Sequence, residues 1–151
     1  RMYKNDIPNM GDNVSVYINR IDKITNVVYM NLLEYDNLEC FCLFSNLSKK
    51  KYIRNISDIV QIGKNDVMTV ISFEHNMIEL SKRDISKNDI TEQNKKFSNS
   101  IFVQNIVKKC SYQLELSISD IYNKYIWELD DGHEIHNILY KIADDPEYIE
   151  N

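Results

Sequence analysis

The residues with the clearest chemical potential lie together in the stretch LFSNLSKKKYIR, residues 43–54. A hydroxyl on Ser48 precedes four cations and an aromatic ring. The cations are Lys49, Lys50, Lys51 and Arg54, and the ring belongs to Tyr52. Clustered cations neutralise phosphates and an interleaved ring stacks on bases, so this stretch suits RNA binding. The hydroxyl also suits modification, because a phosphate of about −1.5 to −2 charges would attract the lysines. A solvated loop is the third interpretation, and composition alone leaves all three open.

Other candidate groups have spacings that favour structural roles. Cys40 and Cys42 fall on one face of a predicted strand, and Cys110 is distant, so neither spacing suits a zinc site. His133 and His136 lie one turn apart on a predicted helix, without a third ligand nearby. No nucleophile is paired with a base. We therefore expect no enzymatic activity, no metal site and no cofactor.

Charge is distributed unevenly along the chain. The net charge of −5 comes entirely from residues 87–151, whereas residues 1–86 carry equal numbers of cations and anions. Only 3 glycines are present, which excludes a glycine-rich phosphate loop. The 3 cysteines and the lack of a long apolar segment indicate a cytoplasmic protein that does not enter a membrane.

The first half of the chain has the period of β-strands. Val14, Val16 and Ile18 alternate with polar residues, as in a strand with one buried face. Hairpin turns are predicted at 36–37 and 74–76. The predicted strands are 14–18, 25–35, 38–44, 66–73 and 77–81. Five short strands with a long insertion after the third predict a five-stranded oligonucleotide-binding barrel over residues 1–86.

The period changes to that of helices after residue 86. Ile118, Ile121 and Tyr122 begin an apolar stripe with helical spacing, and Ser117 is placed to cap its first turn. The predicted helices are 88–97, 101–110, one from 118 and one from 135. The sequence therefore predicts an all-β barrel followed by a small all-α domain, residues 87–151.

Several blocks of the sequence resemble the alpha subunit of eukaryotic translation initiation factor 2. The blocks are LLEYDNLECFCLFSNLSKKKYIR (32–54), IGKNDV (62–67) and IELSKRDIS (78–86), with weaker matches at RMYKNDIP, WELDD and ADDPEYIE. This resemblance implies an S1-type barrel followed by a helical domain. Family members continue into an α/β domain that docks on the gamma subunit, and these 151 residues contain no counterpart of it.

The resemblance also implies a function and a regulatory site. The family carries initiator tRNA to the small ribosomal subunit, where mRNA is present. Stress-activated kinases phosphorylate the serine of its LS-(basic)₃ motif, and the modified form inhibits the guanine-nucleotide exchange factor. The matching acceptor here is Ser48, whereas Ser45 matches a neighbouring serine that is not the main acceptor. Lysines replace most of the family's arginines, which keeps the charge but loses the bidentate geometry.

The sequence departs from the family at the turn on which the kinases dock. The matching residues are His75, Asn76, Met77, Ile78 and Glu79, of which only Ile78 is identical. The turn is also two residues shorter, and Asn46 replaces a glutamate near the acceptor. Three functions stay open: an initiation-factor subunit regulated through Ser48, a viral-type pseudosubstrate decoy of the kinases, and a generic S1 RNA-binding module. The first is favoured, because decoys keep the docking turn and lose the serine, whereas this chain keeps the serine and alters the turn.

Overall fold

The computed structural model describes residues 1–50 and 54–127. The chain divides into two compact units. One is Ile7–Asn94, and the other joins Arg1–Asp6 to the chain from Lys95 onward. A closed five-stranded barrel followed by helices confirms the predicted fold class. The predicted domain boundary after residue 86 stays a prediction.

Five strands close into the barrel. They are β1 (Asn13–Asp22), β2 (Val27–Leu32), β3 (Leu38–Leu43), β4 (Asn65–Glu74) and β5 (Met77–Ser81). Their order is β1-β2-β3-β5-β4, and β4 pairs with β1 to complete the circle. Neighbours are antiparallel except β3 and β5, which run parallel. Register irregularities in β1 and β4 have the character of bulges, which bend a long strand and help a sheet to close.

Alternate side chains from every strand fill the barrel. Val14, Val16 and Ile18 of β1 point inward and are buried, as their alternation predicts. The other strands contribute Val28, Met30, Leu32, Cys40, Cys42, Met68, Val70, Ile78 and Leu80. The core is thus made of β-branched and other medium-sized apolar groups that fit a narrow barrel.

Both predicted hairpin turns form, and their residues explain why. Asp36 and Asn37 have φ of 54° and 56°, and His75 and Asn76 have φ of 50° and 62°. Asn, Asp and His adopt this left-handed region more readily than most residues other than glycine. The chain therefore makes tight turns with very few glycines.

The thiols of β3 belong to the barrel interior. Cys40 and Cys42 are buried, and burial raises the pKa of each to about 12. The Cys40 thiol donates to the Met30 carbonyl at 3.5 Å. Within the described ranges, no group of three potential metal ligands forms.

One helix, α1 (Lys87–Leu114), occupies the place of the two predicted at 88–97 and 101–110. The prediction of a break between them was wrong, because the polar residues at 98–100 continue the helix. Ser100 is instead buried and its hydroxyl lies 3.0 Å from the Tyr3 hydroxyl. A polar side chain with a buried partner can lie inside a helix without ending it.

The start of α1 contributes a side chain to the barrel unit. Gln93 donates from Nε2 to Glu34 Oε1 at 2.6 Å and to Ser15 Oγ at 3.1 Å. The Ser15 amide also donates to Glu34 Oε1, at 3.1 Å. All three residues are buried. Because a buried carboxylate is costly without hydrogen bonds, Gln93 stabilises Glu34, the acidic residue of the LLEY block.

A short second helix follows in the other unit. Helix α2 (Ile118–Ile121) is capped by Ser117, whose hydroxyl accepts from the Asp120 amide at 3.1 Å, as predicted. A π-helical turn, Tyr122–Ile126, continues it. The apolar cluster of this unit is Val103, Val107, Ile121, Tyr122, Ile126 and Trp127. The helix predicted from 135 and the two histidines near it lie outside the described residues.

None of the helices in the described part of the chain has both the length and the apolar character needed to cross a membrane.

Replacing Gln93 with leucine should destabilise the protein. The change removes two hydrogen bonds and leaves the Glu34 carboxylate buried with one donor fewer, so we expect a loss of about 1–3 kcal/mol in the free energy of unfolding. Urea denaturation followed by circular dichroism measures it. Asn94→Leu is the matched control, since Asn94 is the next residue of α1 and is exposed. Equal stability of the two variants would contradict the role given to Gln93.

The buried thiols should resist alkylation in the folded protein. The thiolate is the nucleophile, so at pH 8 we expect iodoacetamide to label Cys110 at least about tenfold faster than Cys40 or Cys42. Cys110 is half-buried and serves as the internal control. Peptide mass spectrometry over time measures each rate, and denaturation in urea should make the three rates similar. Equal labelling before denaturation would show that β3 is accessible.

Candidate functional site around Ser48

Residues 44–64 connect β3 to β4 and are called the acceptor loop. Its two ends carry short 3-10 turns, Phe44–Asn46 and Ile56–Asp58. Leu47 and Val60, near the two ends, are each 2% exposed and anchor the loop in the core. Ser48 follows Leu47 directly and is half-buried. The predicted phosphate acceptor therefore lies where the chain leaves the core.

The side chains next to Ser48 have different surroundings. The Ser48 hydroxyl accepts from the Lys50 amide at 3.2 Å, which turns the chain back on itself. Lys49 Nζ lies 3.1 Å from an Asp84 carboxylate oxygen, and both side chains are well exposed. Such an exposed pair contributes roughly 0–1 kcal/mol. Lys50 and Arg54 are exposed and line a cleft. Lys51 and Tyr52 lie outside the described residues.

The SKR block holds the two ends of the acceptor loop. The Asn46 carbonyl accepts from the Lys82 amide at 2.8 Å and from the Ser81 hydroxyl at 3.2 Å. Lys82 Nζ donates to the Ile59 carbonyl at 3.0 Å and to an Asp66 carboxylate oxygen at 2.6 Å. One lysine thus contacts the start of the loop through its backbone and the end through its side chain.

The residues matching the docking turn are divided between surface and core. His75 and Asn76 form the exposed tip of the β4–β5 hairpin, and Met77 is half-buried. Ile78 is 1% exposed and pairs with Cys40 across the parallel β3–β5 ladder. Its identity with the family therefore has a packing explanation, and a kinase could not read it at the surface.

Glu79 is brought to the acceptor loop. Its Oε1 accepts from the Asn46 side-chain amide at 3.3 Å. An asparagine can donate this bond, whereas the glutamate that the family has at this position could not do so when ionised. The two departures from the family pattern thus meet in one hydrogen bond, two residues before Ser48.

Sequence reasoning missed the β1–β2 turn. Lys23 and Asn26, from this turn, line the same cleft as Lys50 and Arg54. A single lysine in a hairpin turn carries no local signal. Only the barrel topology brings it beside a loop that follows more than twenty residues later.

Comparison with known proteins begins with sequence. No protein-family model matches the chain. Eukaryotic translation initiation factor 2 subunit 1 of Plasmodium falciparum is 31% identical over 131 residues, which is 85% of this chain and 39% of that protein. The subunit alpha homolog of Arabidopsis thaliana is 30% identical over 131 residues, covering 85% and 37% respectively. The chain is a homologue of part of the initiation factor 2 alpha subunit. It spans about two fifths of the length of these curated relatives.

Solved structures agree on the fold of this alpha-subunit homologue. The intact alpha subunit of aIF2 from Pyrococcus abyssi matches with a TM-score of 0.79 and 21% identity, over 92% of this chain and 53% of that one. The a/eIF2alpha protein in a complex with aDim2p and rRNA from Pyrococcus horikoshii matches with a TM-score of 0.76 and 20% identity, over 95% and 85%. These matches confirm the expected S1-type barrel and the helices after it. The roles assigned to Ser48, the basic run and the docking turn stay predictions.

Lys82→Met should loosen the acceptor loop. The variant loses the bonds to Ile59 and Asp66, so we expect about 1–3 kcal/mol of destabilisation. Tryptic cleavage after Lys49 and Lys50 should become several-fold faster. Arg83→Met is the matched control, because it also removes one cationic cleavage site and Arg83 is exposed. Limited proteolysis with mass spectrometry measures the rates, and similar rates in both variants would refute this role of Lys82.

Proposed function

We propose that this protein acts in translation initiation as an initiation factor 2 alpha-like protein, regulated through Ser48. Its homology to initiation factor 2 subunits carries the proposal, because the homologous region includes the acceptor serine, the basic run and the SKR block that holds them. The proposed RNA partners are initiator tRNA and mRNA on the small ribosomal subunit. The rRNA in the complex of the P. horikoshii relative supports an RNA-binding role for this type of barrel.

Phosphorylation of Ser48 would change the charge of the acceptor loop locally. A phosphate adds about −1.5 to −2 charges beside Lys49 and Lys50. The pair that Lys49 makes with Asp84 is exposed and weak, so the new phosphate can compete for this lysine. The lysine would move from Asp84 toward the phosphate, while Asn46 and Leu47 stay fixed by β5 and the core.

The altered surface is what a partner would recognise. A loop fixed at both ends but rearranged in its middle gives two distinct surfaces, one for each state of Ser48. We assign recognition of the modified surface to the guanine-nucleotide exchange factor, and the modification to a stress-activated kinase. Contact with the gamma subunit is not assigned to these residues, because the family makes it through its α/β domain.

The docking turn sets how well a kinase recognises the protein. Ile78 lies in the core, which leaves His75 and Asn76 exposed and Met77 and Glu79 half-buried. None of these four is identical to the family's residue. We therefore propose that Ser48 is modified more slowly than the serine of a family member.

Kinase labelling tests the proposal directly. We expect an initiation factor 2 kinase to phosphorylate Ser48, because this hydroxyl precedes the lysines directly. Ser48→Ala should abolish labelling, whereas Ser45→Ala should retain most of it. Radiolabel incorporation and phosphopeptide mass spectrometry measure both. Phosphate found on other residues alone would overturn the regulatory role, and strong inhibition of the kinase by Ser48→Ala protein would favour the decoy instead.

A second variant isolates the docking turn. Combining His75→Lys, Asn76→Gly, Met77→Tyr and Glu79→Asp restores the family's residues and leaves Ile78 in the core. Labelling of Ser48 should then become several-fold faster. An unchanged rate would show that the kinase does not read residues 75–79.

A further inference from the structure

A cleft of about 440 Å³ opens in the barrel unit, between the β1–β2 turn and the acceptor loop. This volume is in the range of sites that hold small ligands. The cleft includes Lys50 and Arg54 of the basic run but also Lys23, which lies more than twenty residues earlier. The three cations come from two separate parts of the chain, and folding brings these parts together.

The cleft is strongly cationic. Among the described residues, no carboxylate lines it. Lys49 is not part of the lining and pairs with Asp84 instead. Three cations around one concave surface concentrate positive potential there, and this attracts an anion more effectively than the same charges spread over a loop.

The walls of the cleft are held in place by hydrogen bonds. The Asn26 carbonyl accepts from the Phe44 amide at 3.0 Å, which joins the β1–β2 turn to the acceptor loop. The turn itself is fixed by the Asp22 carboxylate, which accepts from the Ile24 and Thr25 amides at 2.9 and 3.2 Å. The hydrogen bond from the Thr25 amide, then that from the Ile24 amide, lowers the pKa of the Asp22 carboxyl.

The opposite wall has its own support. The Asn55 side-chain oxygen accepts from the Ser57 amide at 3.3 Å and from the Ser57 hydroxyl at 2.9 Å. This bond caps the second 3-10 turn of the acceptor loop. Hydrogen bonds thus hold the β1–β2 turn, Phe44 and Asn55, and order in these parts of the walls reduces the entropy that a ligand must overcome on binding.

An apolar wall lies beside the cations. Phe44 and Ile56 line the cleft and are half-buried, so each presents part of its side chain to it. An aromatic ring can stack on the face of any base, whatever the sequence. Asn26 and Asn55 add carboxamides, which can both donate and accept hydrogen bonds.

We propose that this cleft binds one nucleoside phosphate, with the phosphate on Lys23, Lys50 and Arg54 and the base or ribose against Phe44 and Ile56. The proposal deepens the RNA-binding part of the proposed function, because it names a site for it and adds the β1–β2 turn to that site. A nucleotide within single-stranded RNA and a free nucleotide share this chemistry.

Binding of a labelled single-stranded RNA of about 12 nucleotides, a length that suits one barrel of this type, tests the proposal. Fluorescence anisotropy at several salt concentrations gives the Kd and its salt dependence. Lys23→Gln should raise the Kd by about 3–10-fold and lower the slope of log K against log salt by about 0.7, the value for one phosphate contact on a single strand. Phe44→Leu should weaken binding with an unchanged slope, because it removes a ring and no charge.

Lys64→Gln is the matched control, since it removes the same charge from an exposed lysine of the barrel unit that does not line the cleft. Its effect should be less than about twofold. Melting curves by circular dichroism verify that the variants fold. Wild-type-like binding by Lys23→Gln, or an equal loss in Lys64→Gln, would overturn the proposed cleft site while leaving RNA binding by the protein intact.

Uridine monophosphate, monitored by chemical-shift changes at the amides of Lys23 and Asn26, distinguishes the source of the ligand. If the mononucleotide shifts these signals but the RNA does not bind, the cleft is a site for a free nucleotide. The RNA-binding part of the proposed function would then be wrong, while the cleft proposal would stand. If neither the RNA nor uridine monophosphate binds, or if only a phosphoserine peptide shifts these amide signals, the proposal is overturned.

Discussion

Lys82 fixes the geometry of the acceptor loop because it bonds to both ends of it. Its amide contacts the Asn46 carbonyl, and its ammonium bridges the Ile59 carbonyl and the Asp66 carboxylate. A loop of this length would otherwise sample many conformations, since each ordered residue costs about 1–2 kcal/mol of backbone entropy. With its ends held, only the central basic residues remain to respond to a phosphate or a ligand. The position of Ser48, the cleft and the contact between Asn46 and Glu79 all follow from this arrangement.

The basic run does not act as a single unit in the structure. Lys49 pairs with Asp84, whereas Lys50 and Arg54 face a cleft shared with Lys23. Neighbouring lysines can therefore serve different purposes: one is available to a phosphate on Ser48, and the others to an external anion. Counting positive charge along the sequence could not separate these roles, because Lys49 and Lys50 are adjacent in the chain and diverge at the turn that the Ser48 hydroxyl makes with the Lys50 amide.

Much of the barrel was predictable because its signals are local. Alternation in β1 and left-handed turn residues such as Asn37 and Asn76 are properties of neighbouring residues, and the structure confirms both. The continuity of α1 was not predictable in this way, since Ser100 faces inward only because Tyr3 provides a partner nearly a hundred residues away. The place of Lys23 in the cleft was not predictable for the same reason. Contacts that depend on topology leave no pattern in a single sequence, and these two are visible only in the folded structure.

The hydrogen bonds of Gln93 determine which residues an independently folding barrel must include. The period of the sequence changes after residue 86, and a fragment that ended there would contain all five strands. Such a fragment would leave the Glu34 carboxylate and the Ser15 hydroxyl in an apolar interior without the amide that now lies between them. The smallest piece able to evolve, be transplanted or fold by itself would therefore include the opening turns of the helix, and an S1-type barrel borrowed from this protein would carry that helical segment with it.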